Sequence, residues 1–295
     1  MNWWIQAARP RTLPLATATV FFGAAGINWN LHNCIVVCLA WLTAIALQVF
    51  SNFANDWGDF KNGADDENRI GPMRAMQTGN VTSKSMKKAL IFLGLASFTL
   101  GLMLLFYSLL LLGRFTDFIV FLSVGIFAIW AAYRYTAGDN PYGYKGFGDL
   151  FVFLFFGVVS PLGLYYLLRF TIDWNVILRI GFVGLACVMV LHLNNMRDRR
   201  TDEATGKKTI AVKLGFKLSK ALHFFYGIIC LFSSFALAYS LHFSIVSILF
   251  CSFSVLWLIV HLFIVLRIRE ESSFDSQLKV VALSTFVSSI LFLFC

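Results

Sequence analysis

Charge is what this chain has least of. Only 13% of its 295 residues are Asp, Glu, Lys or Arg, while 59% are hydrophobic, and so few charges cannot cover the surface of a water-soluble domain of this length. Proline is scarce too, at five residues, so helices can run far without meeting a missing N–H and a fixed φ. The cysteines, Cys34, Cys38, Cys187, Cys230, Cys251 and Cys295, form no CxxC pair and have no histidine at ligand spacing. That argues against a disulfide framework or a thiolate metal site and leaves them as small core or lipid-facing residues. The N-terminus lacks a short apolar core followed by a small-residue cleavage site, so a removable leader is not expected. Trp3, Trp4, Arg9 and Arg11 belong instead along the cytoplasmic interface, with the indoles at headgroup depth. Together these shortages exclude a soluble enzyme, a disordered tail and a nucleic-acid binder.

What the chain has in abundance is hydrocarbon in blocks, each long enough to cross roughly 30 Å of bilayer as a helix. Runs bounded by charge, Gly, Pro or Asn clusters predict nine spans, near 13–29, 33–55, 88–112, 115–133, 149–168, 174–195, 219–240, 243–266 and 277–294. The expected fold is an all-α polytopic membrane bundle. It forms a single domain over 1–295, with cytoplasmic cap loops near 56–88, 134–148 and 196–218 and no separately folding soluble part. Of the 24 Lys and Arg that give the chain its net charge of +9, all but Arg114, Arg169 and Arg179 fall on one set of alternate connections. The positive-inside rule then places that set and the N-terminus in the cytoplasm, and the C-terminus outside a cytoplasmic (inner) membrane.

Two of the inner connections are long and hold most of the acids. The second span ends in Gln48, Asn52, Asn55, Asp56 and Asp59, whose three- and four-residue spacings keep them near one helical face. A charge next to hydrocarbon costs at least a few kcal/mol, so this face turns to the bundle interior or a wet cavity. Beyond it, Gly63 permits a turn that brings Asp65, Asp66 and Glu67 back over the same place. The sixth span ends alike, in His192, Asn194, Asn195, Asp198 and Asp202. Each end is followed by a glycine and then cations: Gly63 with Arg69 and Arg74, and Gly206 with Lys207 and Lys208. Both spans descend to the cytoplasm, so the clusters are expected to face each other. Opposed carboxylates with amides behind them suit Mg²⁺, which takes oxygen ligands and shares its shell with a bound phosphate. Two such sites would hold a diphosphate through bridging metals, and the loose cations would neutralise the leaving group. His192 is read either as a polar packing residue or as a wall of the substrate cavity. His32, His223, His242 and His261 are scattered and are given no role, and the phenylalanines are mostly packing, with a few suited to a cation.

The run N-F-A-N-D-W-G-D-F-K-N-G-A-D from Asn52 to Asp65 and the run D-R-R-T-D-E-A-T-G-K-K-T from Asp198 to Thr209 resemble the two aspartate motifs of the UbiA superfamily of intramembrane aromatic prenyltransferases. The run D-x-x-x-R-I-G-P-M-R-A-M-Q-T-G-x-V-T from Asp65 to Thr82 is similar to that of its dihydroxynaphthoate branch in menaquinone biosynthesis. So are A-A-R-P-R-T-L-P from Ala7 to Pro14 and G-D-N-P-Y-G-Y-K-G-F-G-D from Gly138 to Asp149. The resemblance is specific over roughly three quarters of the chain, with the last three spans matching only as hydrophobic helices. Many superfamily members carry Tyr-x-x-x-Lys in the middle loop; here Tyr135 is followed four residues later by Asp139, and Lys145 is the nearest lysine.

The resemblance implies transfer of a polyprenyl chain from polyprenyl diphosphate to 1,4-dihydroxy-2-naphthoate, with loss of carbon dioxide to give demethylmenaquinol. It implies Asp56, Asp59, Asp65, Asp198 and Asp202 as Mg²⁺ ligands, two ions bridging the diphosphate. Arg69, Arg74, Lys145, Lys207 and Lys208 would meet the diphosphate, while Gln48, Asn52, Asn55, Asn195, Tyr135 and His192 would line the pocket or support the ligands. The loop from Gly63 to Gly79 is the expected lid, stiffened by Pro72. No nucleic acid or obligate protein partner is expected beside the two substrates and the lipid bilayer. A 4-hydroxybenzoate, homogentisate or haem acceptor would share the aspartates, and only the Arg69 to Thr82 segment speaks against it. Outside the family, a secondary transporter also hides acids between helices, but it needs gates on both sides, and these acids cluster at one end. A phospholipid-making phosphotransferase would need a D-G-x-x-A-R run that this chain lacks.

Overall fold

The computed structural model describes residues 3–63 and 74–295. Among these residues there is no strand, and nine helical rods are present: α1 (Leu13–Ala24), α2 (Leu31–Lys61), α3 (Ser83–Ser108), α4 (Phe115–Arg134), α5 (Gly148–Arg169), α6 (Trp174–Arg197), α7 (Ile210–Ser240), α8 (Ile245–Arg267) and α9 (Phe274–Leu293). All but α1 are long and apolar enough to cross a bilayer, and the chain is an integral membrane protein. A short helix, Trp3–Ala8, precedes α1, and another, Arg199–Ala204, follows α6.

Four expected boundaries move by five residues or more: α3 starts at Ser83 rather than 88, capped by Thr82, and the other three also have a local reason. Helix α1 stops at Ala24 rather than 29, and its 12 residues reach only about 18 Å at 1.5 Å per residue. Its last carbonyls would cost several kcal/mol each if left bare at membrane depth. Arg179 donates to the carbonyls of Phe22 and Ala25 at 3.0 Å each, and Arg169 donates to Ala25 at 2.7 Å. These two arginines, counted from the sequence as outer-loop charges, therefore cap a helix, and Gly26 then turns the chain at φ 73°. Helix α2 runs on to Lys61 rather than ending near 55, so Asp56 and Asp59 sit on its last turns, on the helical face their spacing predicted. Helix α7 starts at Ile210 rather than 219, capped by Thr209, and breaks at Gly215 (φ 72°, ψ 176°).

Helix α6 is the axis of the bundle: 67% of its apolar window is buried, against 6% for α4, which faces lipid. Phe22, Phe182, Phe250 and Phe292 meet beside it with ring centroids 4.8–6.0 Å apart, joining α1, α6, α8 and α9. On its other flank α5 widens into a π-helical stretch, Phe153–Val159. The wide turn is accounted for by Pro161, which has no N–H to give to the carbonyl four residues back. There α5 and α6 touch backbone to backbone: a Cβ on Gly184 would lie 2.6 Å from the Gly157 Cα, and one on Gly157 would lie 2.8 Å from the Gly184 Cα.

Gly184→Val should therefore destabilise the protein by about 1–3 kcal/mol through forced separation of α5 and α6. Gly125→Ala, on α4 with open space around it, should leave stability unchanged or slightly raised. Thermal unfolding in detergent checks both, and equal losses in the two variants would contradict the close contact.

Candidate active site

A cavity of about 430 Å³ opens between these helices. Its walls are apolar along most of their length, with Leu102, Leu105, Phe121, Phe155 and Leu164 among them, and polar at one end, where α2 and α6 finish. Gln48, Asn52, Asn55, Asp59, Asn194, Asn195, Asp198, Asp202 and Lys207 all border that end. Asp59 of the first expected cluster and Asp198 and Asp202 of the second thus open into one space, while Asp56 does not border it.

The first cluster is built by the helical spacing of α2 against the N-terminal segment. Asn52 donates to the Ala8 carbonyl at 2.8 Å and to the Thr12 hydroxyl at 3.1 Å, and Gln48 donates to the same hydroxyl at 3.0 Å. These amides hold residues 8–12 across the end of α2, and that strap carries Arg9. Arg9 meets Asp56 at 2.6 Å, and Arg74 meets the same oxygen at 3.1 Å. Arg74 also reaches Asp59 at 2.8 Å, where Lys207 stands at 2.9 Å and the Tyr144 hydroxyl donates at 2.7 Å. With its amide oriented to suit its neighbours, Asn55 donates to Asp59 at 3.2 Å and accepts from Arg9 at 3.0 Å. Asp56 and Asp59 are 2% and 1% exposed, so without these cations their desolvation would be prohibitive. Burial and the Asp59 charge push the Tyr144 hydroxyl far above its ordinary range, which keeps it a donor.

The second cluster hangs on one buried arginine. Helix α6 ends at Arg197, Asp198 forms the join, and Asp202 lies on the next short helix. Arg197, with 0% exposure, donates to both oxygens of Asp198 at 2.7 Å each, and also bonds Asn194 at 2.9 Å and Asp275 of α9. Lys207 links the clusters: its Nζ is 2.9 Å from Asp59 and 3.8 Å from Asp202.

The other expected residues lie as follows. Tyr135 borders the cavity, its ring edge-on to Tyr142 at 5.5 Å, and burial together with the Asp149 charge raises its pKa well above the ordinary value. His192 is wholly buried behind the cavity, on Asp149 at 2.9 Å and the Ser219 carbonyl at 3.1 Å. Lys145 and Lys208 are exposed and do not border the cavity. Asp65, Arg69 and Pro72 lie outside the described residues, as does the middle of the expected lid. Sequence reasoning did not assign Arg9, Tyr144, Arg197 or Asp275 to the site. Arg9 and Tyr144 stood inside the family-like motifs, which was the available signal; Arg197 and Asp275 stood outside them.

The donor set is carboxylate and amide oxygen, which fits a hard divalent cation such as Mg²⁺ and not a soft one. Among the described residues no three acids, histidines or cysteines converge to enclose an ion alone.

The profile of the UbiA prenyltransferase family matches residues 12–290. Over 224 residues the chain is 44% identical to the 1,4-dihydroxy-2-naphthoate octaprenyltransferase of Haemophilus influenzae, which covers 75% of this chain and 71% of that protein. The Escherichia coli protein of the same description is 41% identical over 221 residues, with the same coverage. Among solved structures, a UbiA homolog from Archaeoglobus fulgidus bound to GPP and Mg²⁺ matches with a TM-score of 0.67 over 99% of both chains at 13% identity, a likeness of fold alone.

Arg197→Met should cost about 3–5 kcal/mol, because it removes the guanidinium that holds both oxygens of the buried Asp198. Adding Asp198→Asn should recover part of that loss. Unfolding midpoints of the single and double variants measure the coupling, and additive losses would contradict the pairing.

Proposed function

The chain belongs to the UbiA prenyltransferase family, and from that premise we propose that it transfers a polyprenyl chain from polyprenyl diphosphate to 1,4-dihydroxy-2-naphthoate. The products are demethylmenaquinol, carbon dioxide and diphosphate. The observation that carries this reading is Lys207 standing between Asp59 and Asp202, which brings two acid clusters within reach of one diphosphate. The acceptor follows from the relatives named for dihydroxynaphthoate, which are 44% and 41% identical.

Asp56, Asp59, Asp65, Asp198 and Asp202 would hold Mg²⁺, supported by the metal in the Archaeoglobus fulgidus homolog; bound there, it supplies Lewis-acid neutralisation of the diphosphate. The remaining work falls to the side chains. Arg9, Arg74 and Lys207, which neutralise aspartates in this arrangement, turn to the phosphate oxygens and stabilise the charge that develops as the allylic C–O bond breaks. The apolar wall from Phe155 to Leu105 takes the prenyl chain and keeps water from the cation. The ring carbon bearing the carboxylate attacks C1 of the prenyl group. As the new C–C bond forms, the bond to the carboxyl carbon breaks, its electron pair restores the aromatic ring, and carbon dioxide leaves. No proton need be removed from that carbon, so the aspartates are free of general-base duty.

The protein acts as one domain in the cytoplasmic membrane. The strap, Lys207 and the cavity's polar end lie on the cytoplasmic side, where the basic residues concentrate, and the C-terminus lies outside.

Asp59→Asn and Asp202→Asn should each lower turnover by about 10²-fold or more, the scale of losing a group aimed at developing charge, in protein that still folds in detergent. Purified protein given Mg²⁺, a polyprenyl diphosphate and either dihydroxynaphthoate or 4-hydroxybenzoate should prenylate the naphthoate, as read by mass spectrometry. Prenylation of hydroxybenzoate alone would overturn the acceptor and keep the reaction class.

A further inference from the structure

Behind the cavity, Asp149 at the start of α5 and His192 on α6 are almost wholly buried, at 4% and 0% exposure. Nε2 of His192 faces the Ser219 carbonyl at 3.1 Å and Nδ1 faces the Asp149 Oδ2 at 2.9 Å. A carbonyl only accepts, so Nε2 carries a hydrogen. Nδ1 meets a carboxyl oxygen, so a second proton must lie between them, on one or the other; a neutral imidazole beside a bare carboxylate would set lone pair against lone pair. The pair is a buried hydrogen bond that ties α5 to α6, and through Ser219 to α7. The Tyr226 hydroxyl, also from α7, donates to the same Asp149 oxygen at 3.3 Å.

From Ser219 the connection runs to the site. Its hydroxyl donates to the Ala211 carbonyl at 3.3 Å, spanning the break at Gly215, which has no i→i−4 continuity to hold the first turn of α7. That first turn is capped by Thr209, and the residues just before it are fixed by the Lys208 N–H on the Tyr144 carbonyl at 2.8 Å. Lys207 is next in the chain. On the other side, Gly148 abuts Tyr135 so closely that a Cβ would lie 2.9 Å from its hydroxyl.

We propose that Asp149 and His192 are positioning residues whose hydrogen bond locks the first turn of α7 onto α6, and thereby holds Lys207 between Asp59 and Asp202. The kinetic arm of the test rests on the prenyl transfer proposed above; the labelling arm does not. Lys207, whose side chain is 12% exposed, is acetylated with a limiting water-soluble ester and quantified by mass spectrometry in wild type, His192→Phe and Asp149→Asn. In His192→Phe, Lys207 should label about tenfold faster, and KM for prenyl diphosphate should rise more than kcat falls. Asp149→Asn should match wild type in both, because its amide N–H can donate to Nδ1 while Nε2–H stays on Ser219. Should His192→Phe not fold, Asp149→Leu, which keeps the imidazole but removes its Nδ1 partner, is expected to behave as His192→Phe. A folded variant lacking the pair, with Lys207 labelling at the wild-type rate, would overturn the proposal, as would Asp149→Asn labelling as fast as His192→Phe. The expected labelling in a protein that prenylates no acceptor would instead count against the function alone.

Discussion

Inside a bilayer a carboxylate cannot be left to water, and this single constraint organises the polar end of the molecule. Asp56 and Asp59 end a membrane helix, almost without exposure, and three cations from three different segments come to meet them: Arg9 from the strap, Arg74 from beyond the first motif and Lys207 from within the second. The contacts of Arg9 and Lys207 cross long stretches of chain and that of Arg74 closes the loop after α2, so the charge balance of the site also fixes the tertiary arrangement of these segments. The same cations are the groups a diphosphate needs, and as they turn to phosphate oxygens another positive charge has to replace them on the buried aspartates, the part that Mg²⁺ would take in the proposed reaction.

The scaffold supports this by placing rigid elements where charge must be held. Helix α6 runs through the centre, and Arg197 at its end reads out to Asp198, Asn194 and α9 together. The close glycine contact with α5 and the π-helical stretch beside it shape the cavity wall. At the opposite end, Arg169 and Arg179 supply the hydrogen bonds that let α1 stop short within the membrane.

Much of this was legible in the sequence because a membrane leaves little ambiguity about where apolar helices run and where acids may lie. Eight spans and the convergence of Asp59, Asp198, Asp202, Asn52, Asn55 and Asn195 followed from hydropathy and helical spacing. The short α1 did not, since its last residues are as apolar as a span and the stop is imposed by arginines more than 140 residues away. Arg197 was invisible for a similar reason: an arginine beside an aspartate at a helix end usually faces solvent, and only α9 packing over it makes it a buried clamp. Lys145 and Lys208 carried the right charge in the right loops, yet they are exposed outside the cavity, because loop position constrains side-chain direction far less than helix position does.

The account turns on two aspartate clusters sharing one diphosphate. Crystals grown with Mn²⁺ and a non-hydrolysable prenyl diphosphate analogue test it directly through the anomalous signal of the metal. The account predicts Mn²⁺ sites on both the Asp59 and the Asp202 sides of a single diphosphate, with Lys207 drawn to its oxygens. Metal and diphosphate confined to one cluster, with Lys207 still on Asp59, would contradict it.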